Sequence, residues 1–293
     1  MAEAETQRSA ADSLASFVYG HPRLMVLTGA GVSTESGIPD YRDADGAWKV
    51  SPPVEFPAFM AHLAVRQRYW ARSVVGWPHF SRARPNAAHR ALARLEQAGR
   101  IELLVTQNVD GLHAAAGSPD VVDLHGRLDV VRCMACAHRL PRADLQRELT
   151  ARNPGWEGRS APIGPDGDVH LQTQDFTAFD VPGCPVCGGI LKPDVVFFGE
   201  AVPRHRVDRA FAAVNSADAM LIVGSSLMVY SGYRFAEAAA AAGKPIAAVN
   251  LGRTRADHLL TLKLEVSCGE ALCGLLDADP DQGRNSTDHA TST

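Results

Sequence analysis

Five short apolar runs recur along this chain, and each stops on small or polar residues. They are LMVLTG (24–29), IELLVTQN (101–108), DVVDLHG (120–126), AMLIVGSS (219–226) and PIAAVNLG (245–252). Continuous apolar runs belong to strands covered on both faces, the habit of parallel sheets. Helical patterns lie between them, at roughly 57–75, 85–99, 206–217 and 235–244. The clearest is PNAAHRALARLEQAG, with Ala88, Leu92 and Leu95 on one stripe and Gly99 past its end. Alternating strands and helices predict an α/β protein with a doubly wound parallel sheet. In such a sheet ligands sit at the carboxyl ends of the strands. The five runs named should therefore point their TGAG, TQNVD, LHG, GSS and VNLG ends at one site.

The first of those ends raises a question. TGAGVSTESGIPDYR begins like a dinucleotide loop, with Gly29 and Gly31 at fingerprint spacing, but Thr34 stands where the third glycine belongs. A polar run through Ser36, Gly37, Pro39 and Asp40 follows where a helix should start. Backbone N–H groups around Gly29, Ala30 and Gly31 are expected to meet a pyrophosphate.

The cysteines add a second constraint. Cys133 and Cys136 form CMAC, and Cys184 and Cys187 form CPVC followed by two glycines; Cys268 and Cys273 stand apart. Two such knuckles present four thiolates to one tetrahedral Zn²⁺. The alternative, two disulfides or four buried thiols, fits poorly with a start (MAEAETQR) that has no signal-peptide character. Four thiolates leave no open coordination position, so the zinc is structural and catalysis lies elsewhere. The segment between the knuckles must fold outward as an insert.

A net charge of −4 argues against bulk nucleic-acid binding. Residues 62–100 depart from that average, with eight arginines and the single acid Glu96, either a solvated basic face or an anion-facing surface. No run is long enough to cross a membrane. A cytoplasmic monomer is expected, with a disordered polar tail over 277–293.

GAGVSTESGIPDYR, TQNVDGLH, LHG, CMAC with CPVCGG, KPDVVFFGE, VGSSL and VNLG occur in the order seen in sirtuins, the NAD-dependent protein deacylases. The resemblance runs from about residue 20 to about 275. RQRYWARSVVGWPHF, APIGPDGDVHL and VYSGYRF resemble the class II branch, that of the mitochondrial sirtuin 4 type, and the chain looks like a bacterial member. The resemblance implies a Rossmann-like domain from 1–45, 100–130 and 196–276, a helical module at 46–99 and a zinc module at 131–195. It also answers the question above. An enzyme that breaks the nicotinamide–ribose bond needs a loop that closes over the ribose, where a dehydrogenase has a helix.

The site follows residue by residue from that resemblance. Gly29, Ala30, Gly31, Ser33, Asp40, Tyr41 and Arg42 form the cofactor loop, and Gln107, Asn108 and Asp110 the nicotinamide side, Asn108 and Asp110 being counted with the catalytic residues. Gly224, Ser225 and Ser226 meet the adenosine ribose, and Asn250, Leu251, Gly252 and Cys268 the adenine side. His125 becomes the catalytic base, a task suited to a neutral imidazole, while His113 is structural. The implied chemistry has three steps. The acyl-lysine carbonyl oxygen attacks C1′ of the ribose and nicotinamide leaves. His125 draws a proton from the ribose hydroxyls, so that the 2′-oxygen attacks the imidate carbon. Water then releases lysine and 2′-O-acyl-ADP-ribose.

An acylated peptide is expected to lie as an added strand between VVFFGE (195–200) and MVYSG (228–232), with Val196 and Phe198 lining the lysine tunnel. Tyr69 and Arg72 share a helical face and resemble the pair with which one sirtuin branch holds an acyl carboxylate; Arg68 could replace Arg72 if the register shifts. Mono-ADP-ribosyl transfer, lipoamidase-type deacylation, an NAD-linked dehydrogenase and a zinc-ribbon adaptor remain alternatives.

Overall fold

A computed structural model describes residues 2–277 except 44, 46, 48, 50–53, 157, 160–163, 165, 166, 168, 170 and 172–174. The tail expected to be disordered lies outside the described residues from 278 onward, as does most of APIGPDGDVHL. In chain order the first half comprises α1 (Ala2–Gly20), β1 (Leu24–Thr28), α2 (Phe56–Ala61), α3 (Leu63–Phe80), α4 (Ala87–Gln97), β2 (Ile101–Thr106), α5 (Leu112–Ala115) and β3 (Val121–Asp123). Then come β4 (Gly126–Cys133), β5 (Arg139–Pro141), α6 (Arg142–Arg152), β6 (Leu191–Val195), α7 (Arg204–Ser216), β7 (Ala219–Val223), α8 (Tyr230–Ala241), β8 (Ile246–Val249), β9 (Leu262–Leu264) and α9 (Cys268–Asp277).

Six strands form a sheet in the order β3-β2-β1-β7-β8-β9, paired in parallel throughout. Every residue of β1, β7 and β8 is buried, as uninterrupted apolar runs require. One face packs Leu14, Val18, Leu92 and Leu272 from α1, α4 and α9. The other packs Ala210, Val214, Phe235 and Ala236 from α7 and α8. The strand order runs outward in both directions from the β1–β7 pair, so that pair is the switch point at which a crevice opens.

A second, antiparallel sheet of order β5-β4-β6 carries the cysteine knuckles. With α2, α3 and α6 it buries a separate core that includes Phe59, Tyr69, Trp70, Leu145 and Phe179. The stretch expected as one helix over 57–75 is two, broken at His62, whose backbone is extended. The second continues to Phe80 through Pro78. Pro78 has no N–H for the Val74 carbonyl, and Gln146 Nε2 donates to that carbonyl at 2.8 Å instead.

Two segments that the sequence patterns left unassigned, α1 and β9–α9, close one face of the sheet. Their contact includes a hydrogen bond from Tyr19 Oη to the Leu275 carbonyl (2.8 Å). A further difference concerns MVYSG. It is not extended as expected, because α8 starts at Tyr230 and buries Gly232, Tyr233, Phe235 and Ala236.

Candidate active site

The carboxyl ends of β1, β2, β3, β7 and β8 surround one cavity of ≈ 550 Å³, within the usual range of roughly 300–1,000 Å³ for small-molecule sites. Its walls include every cofactor-loop residue expected from the sequence, from Gly29 through Arg42, and Gln107, Asn108, Asp110 and His125. Gly224, Ser225, Ser226, Asn250 and Leu251 complete the far side. Gly252 and Cys268 do not reach it: Cys268 is buried under β8, its Sγ 4.0 Å from the Val249 carbonyl.

The glycines also serve the packing of this loop. The Gly29 N–H donates to Val223 O (3.1 Å) and the Gly31 N–H to Gly224 O (2.8 Å). Both are thus committed to the neighbouring loop. A Cβ at Gly29 would come within 2.7 Å of the Ser225 side chain, and one at Gly31 within 2.9 Å of Gly224. Gly224, at φ +62°, would in turn strike Val32 N. Two loops interlock here, and only glycine lets them approach. Short 3₁₀ turns at Ala30–Val32 and Thr34–Ser36 follow in place of a helix.

Polar side chains tie this loop to β2. Asn108 Nδ2 donates to Gly29 O (3.1 Å) and to Ser33 Oγ (3.0 Å), and Ser33 Oγ donates to Asp110 (2.8 Å). Burial raises the Asp110 carboxyl above its ordinary pKa, against the pull of the Leu112 N–H, Ser33, Asn108 and Arg127. Behind them His113 and His89 are buried, their rings 4.7 Å apart. Desolvation holds His89 at about 4 and His113 well below its ordinary value, so both are neutral.

His125 stands at the end of β3. Its Nδ1 lies 2.9 Å from the Gln107 carbonyl, which can only accept, so Nδ1 carries the hydrogen and Nε2 is the basic nitrogen. Burial lowers its pKa to about 4, with Arg234 and Arg206 adding to the shift and the Gln107 carbonyl opposing it. The imidazole is therefore neutral at pH 7. Gln107 is itself fixed, donating from Nε2 to Ser225 Oγ at 2.7 Å.

The lysine-side residues also meet the cavity. Val196 and Phe198 line it, and the Phe198 carbonyl is held by the Phe56 N–H at 2.7 Å. Their loop is anchored by Lys192, buried and donating to Glu200 (2.9 Å), which in turn accepts from the Phe197 N–H (3.0 Å). Tyr69 is buried at the cavity wall, packed against Phe59 and Phe197. Arg72 is not: it does not line the cavity, and its Nε donates to Val169 O at 2.7 Å. Arg68 is exposed and also outside the lining. Other arginines of the basic stretch, Arg66 and Arg90, donate to main-chain carbonyls. Ser231, Glu200, Phe197 and Val109 also line the cavity, and the sequence does not single them out: they sit in MVYSG, VVFFGE and TQNVDGLH beside residues of plainer chemical character.

The four cysteine sulfurs lie within 4.8 Å of one another, Cys133–Cys187 at 3.5 Å and Cys136–Cys184 at 3.7 Å. Tetrahedral Zn–S bonds of about 2.3 Å put sulfurs ~3.8 Å apart, so the cluster fits that ion. The backbone N–H groups of Cys136 and Ala135 point at Cys133 Sγ and lower its pKa to about 6. Against the pull of the Gly189 N–H, Cys136 and Cys133 raise the adjoining Cys187 thiol to about 12, so Cys133 is the first of the pair to become the thiolate a metal needs.

A dinucleotide cavity at the switch point of a Rossmann-like sheet, beside a tetrathiolate module, defines an NAD-using enzyme with a structural zinc. The chain belongs to the Sir2 family, whose profile matches residues 29–231. It is 64% identical over 263 residues to an NAD-dependent protein deacetylase of Xanthomonas campestris pv. campestris, covering 90% of each chain. It is 47% identical over 267 residues to the NAD-dependent protein deacylase Sirt4 of Drosophila melanogaster, covering 90% of this chain and 86% of that one. Among solved structures, a Sir2–p53 peptide–NAD⁺ complex matches with a TM-score of 0.72 and 30% identity, covering 94% of this chain and 98% of that one. No helix among the described residues is long and apolar enough to cross a membrane.

Proposed function

We propose that this protein removes acyl groups from lysine side chains of proteins, consuming NAD and yielding nicotinamide, free lysine and 2′-O-acyl-ADP-ribose. The observation that carries the reading is His125, its Nε2 unprotonated by tautomer, in one cavity with Gln107, Asn108 and Asp110. NAD supplies an electrophilic ribose carbon and a good leaving group. Asn108 and Asp110 hold the Ser33 loop against the end of β2, which positions the ribose side of the cavity. His125 accepts the proton of a ribose hydroxyl on Nε2 while the Gln107 carbonyl keeps the ring in register. Val196 and Phe198 flank the path of the lysine stem. Four free thiols held as a cluster suit a reducing setting such as the cytoplasm.

The acyl end of the cavity is read as apolar. Ile38, Val54, Tyr69, Val109, Val195 and Phe197 supply much of the apolar lining of the cavity, and neither Arg68 nor Arg72 lines it. An uncharged chain is therefore preferred to one ending in a carboxylate. The test is a panel of acetyl, longer acyl and glutaryl peptides incubated with NAD, with products identified by mass. The expected products are free lysine and acyl-ADP-ribose, with kcat/KM lower for glutaryl and the ratio unmoved by Arg72→Ala. ADP-ribose attached to protein with no lysine released, or a glutaryl preference lost in Arg72→Ala, would overturn it.

A further inference from the structure

His125 is gripped at both ring nitrogens. The second grip is Ser231, whose Oγ lies 2.8 Å from Nε2. Nδ1 carries the hydrogen, so the hydroxyl donates to Nε2 in the neutral ring.

We propose that Ser231 is a positioning residue for deacylation, holding the working nitrogen of His125. The inference rests on the reading of His125 as the base. The fold brings Ser231 there deliberately. It is the second residue of α8, and Gly232 beside it lets the helix start press on Gln107. A Cβ at Gly232 would come within 2.5 Å of Gln107 Oε1. Gln107 thus holds Nδ1 with its carbonyl, meets Ser225 with its amide and packs under the glycine that delivers Ser231. The imidazole plane is fixed from two elements, the β2 end and the α8 start.

A hydroxyl suits a base that changes its charge. It donates to the neutral imidazole and, after rotating about Cβ–Oγ, accepts from the imidazolium. Nε2 has one lone pair, so Ser231 turns its hydrogen away as the ribose hydroxyl reaches that nitrogen; when the ribose O–H bond breaks and Nε2–H forms, Ser231 keeps its own hydrogen and offers an oxygen lone pair to the new N–H. Alanine can do neither. The charged groups bearing on the ring are Arg234 of α8 and Arg206 of α7, both cationic. Beside them an imidazolium with an unpartnered N–H is disfavoured more than a neutral ring. Loss of the hydroxyl therefore weakens the base, lowering the rate plateau and moving the acid limb to lower pH.

A purely structural serine predicts otherwise. Alanine is the better helix former, and α8 is capped without the Ser231 side chain. The experiment compares wild type, Ser231→Ala and Ser231→Thr, all zinc-loaded, on an acetyl-lysine peptide with NAD from about pH 3.5, below the pKa of about 4 that burial gives His125, up to about pH 8. Deacylation and exchange of labelled nicotinamide are measured together, because exchange precedes the step that needs the base. The expected result is a fall in deacylation kcat of about tenfold or more in Ser231→Ala, short of the ~10²–10⁴ of losing a general base outright. Exchange should fall less, the acid limb should move down, and Ser231→Thr should restore both. An active wild type with Ser231→Ala inside twofold and its acid limb unmoved would overturn this inference alone. So would equal losses of exchange and deacylation that threonine does not repair. A wild type that deacylates nothing overturns the parent reading and takes this one with it.

Discussion

At the scale of single residues the account turns on His125. Replacing it by alanine should lower deacylation by ~10²–10⁴, the usual worth of a general base, while NAD binding by calorimetry stays within a few-fold. Retention of more than about a tenth of wild-type turnover would remove it from the role. The acid limb of kcat/KM should fall below the ordinary imidazole value, toward the 4 or so that burial gives the ring. How much of the site was legible also shows here. His125, Gln107, Asn108 and Asp110 could be read because a strand end announces them. The close fit of Gly29 and Gly31 against the Gly224 loop was not legible, because a fingerprint does not say whether an N–H faces a ligand or the Val223 carbonyl of another strand. Arg72 was placed correctly on a helix beside Tyr69, yet helical spacing fixes a face and not which neighbour the long side chain reaches. Ser231 was invisible because its partner, His125, is 106 positions away in sequence.

At the scale of elements the zinc module is the most separable part. Cys133 ends β4 and Cys136 follows it, while Cys184 and Cys187 precede β6, so the ion would cross-link the two strands of one antiparallel pair. Each knuckle is closed by its own turn: the Cys133 N–H donates to His138 O (2.8 Å) and the Cys184 N–H to Gly189 O (2.8 Å). Purified protein should therefore carry one zinc per chain. Cys184→Ser should lose the metal and melt this module first, since binding and folding are coupled. A folded protein with less than about half an equivalent of zinc would contradict this. The strands of the large sheet were legible because buried parallel strands are apolar end to end. α1 and the β9–α9 end were not. Only part of α1 is apolar, and its place is set by Leu272 and Leu275, which lie more than two hundred residues away.

At the scale of the whole molecule three buried or half-buried histidines, His89, His113 and His125, share one direction. Burial lowers the folded pKa of each below the unfolded value. The unfolded chain then binds more protons between about pH 6.5 and 4, so stability is full above that window and is lost as pH falls through it. Asp123, pushed up to about 6 by burial, works in the opposite sense and offsets part of the slope. The net loss should be on the order of 1–3 kcal/mol per pH unit, measurable by urea unfolding with zinc in excess. A flat profile across that window would mean that these rings reach solvent in the folded state.

The central claim is that the chain cleaves NAD in step with deacylation, and one time course tests it. Purified protein is mixed with NAD and an acetyl-lysine peptide, and nicotinamide, peptide mass and the reduced-nicotinamide absorbance band are followed together. The account predicts one nicotinamide released per lysine freed, with no growth of the absorbance band. Growth of that band without nicotinamide release, or neither product over many hours at saturating NAD, would contradict it.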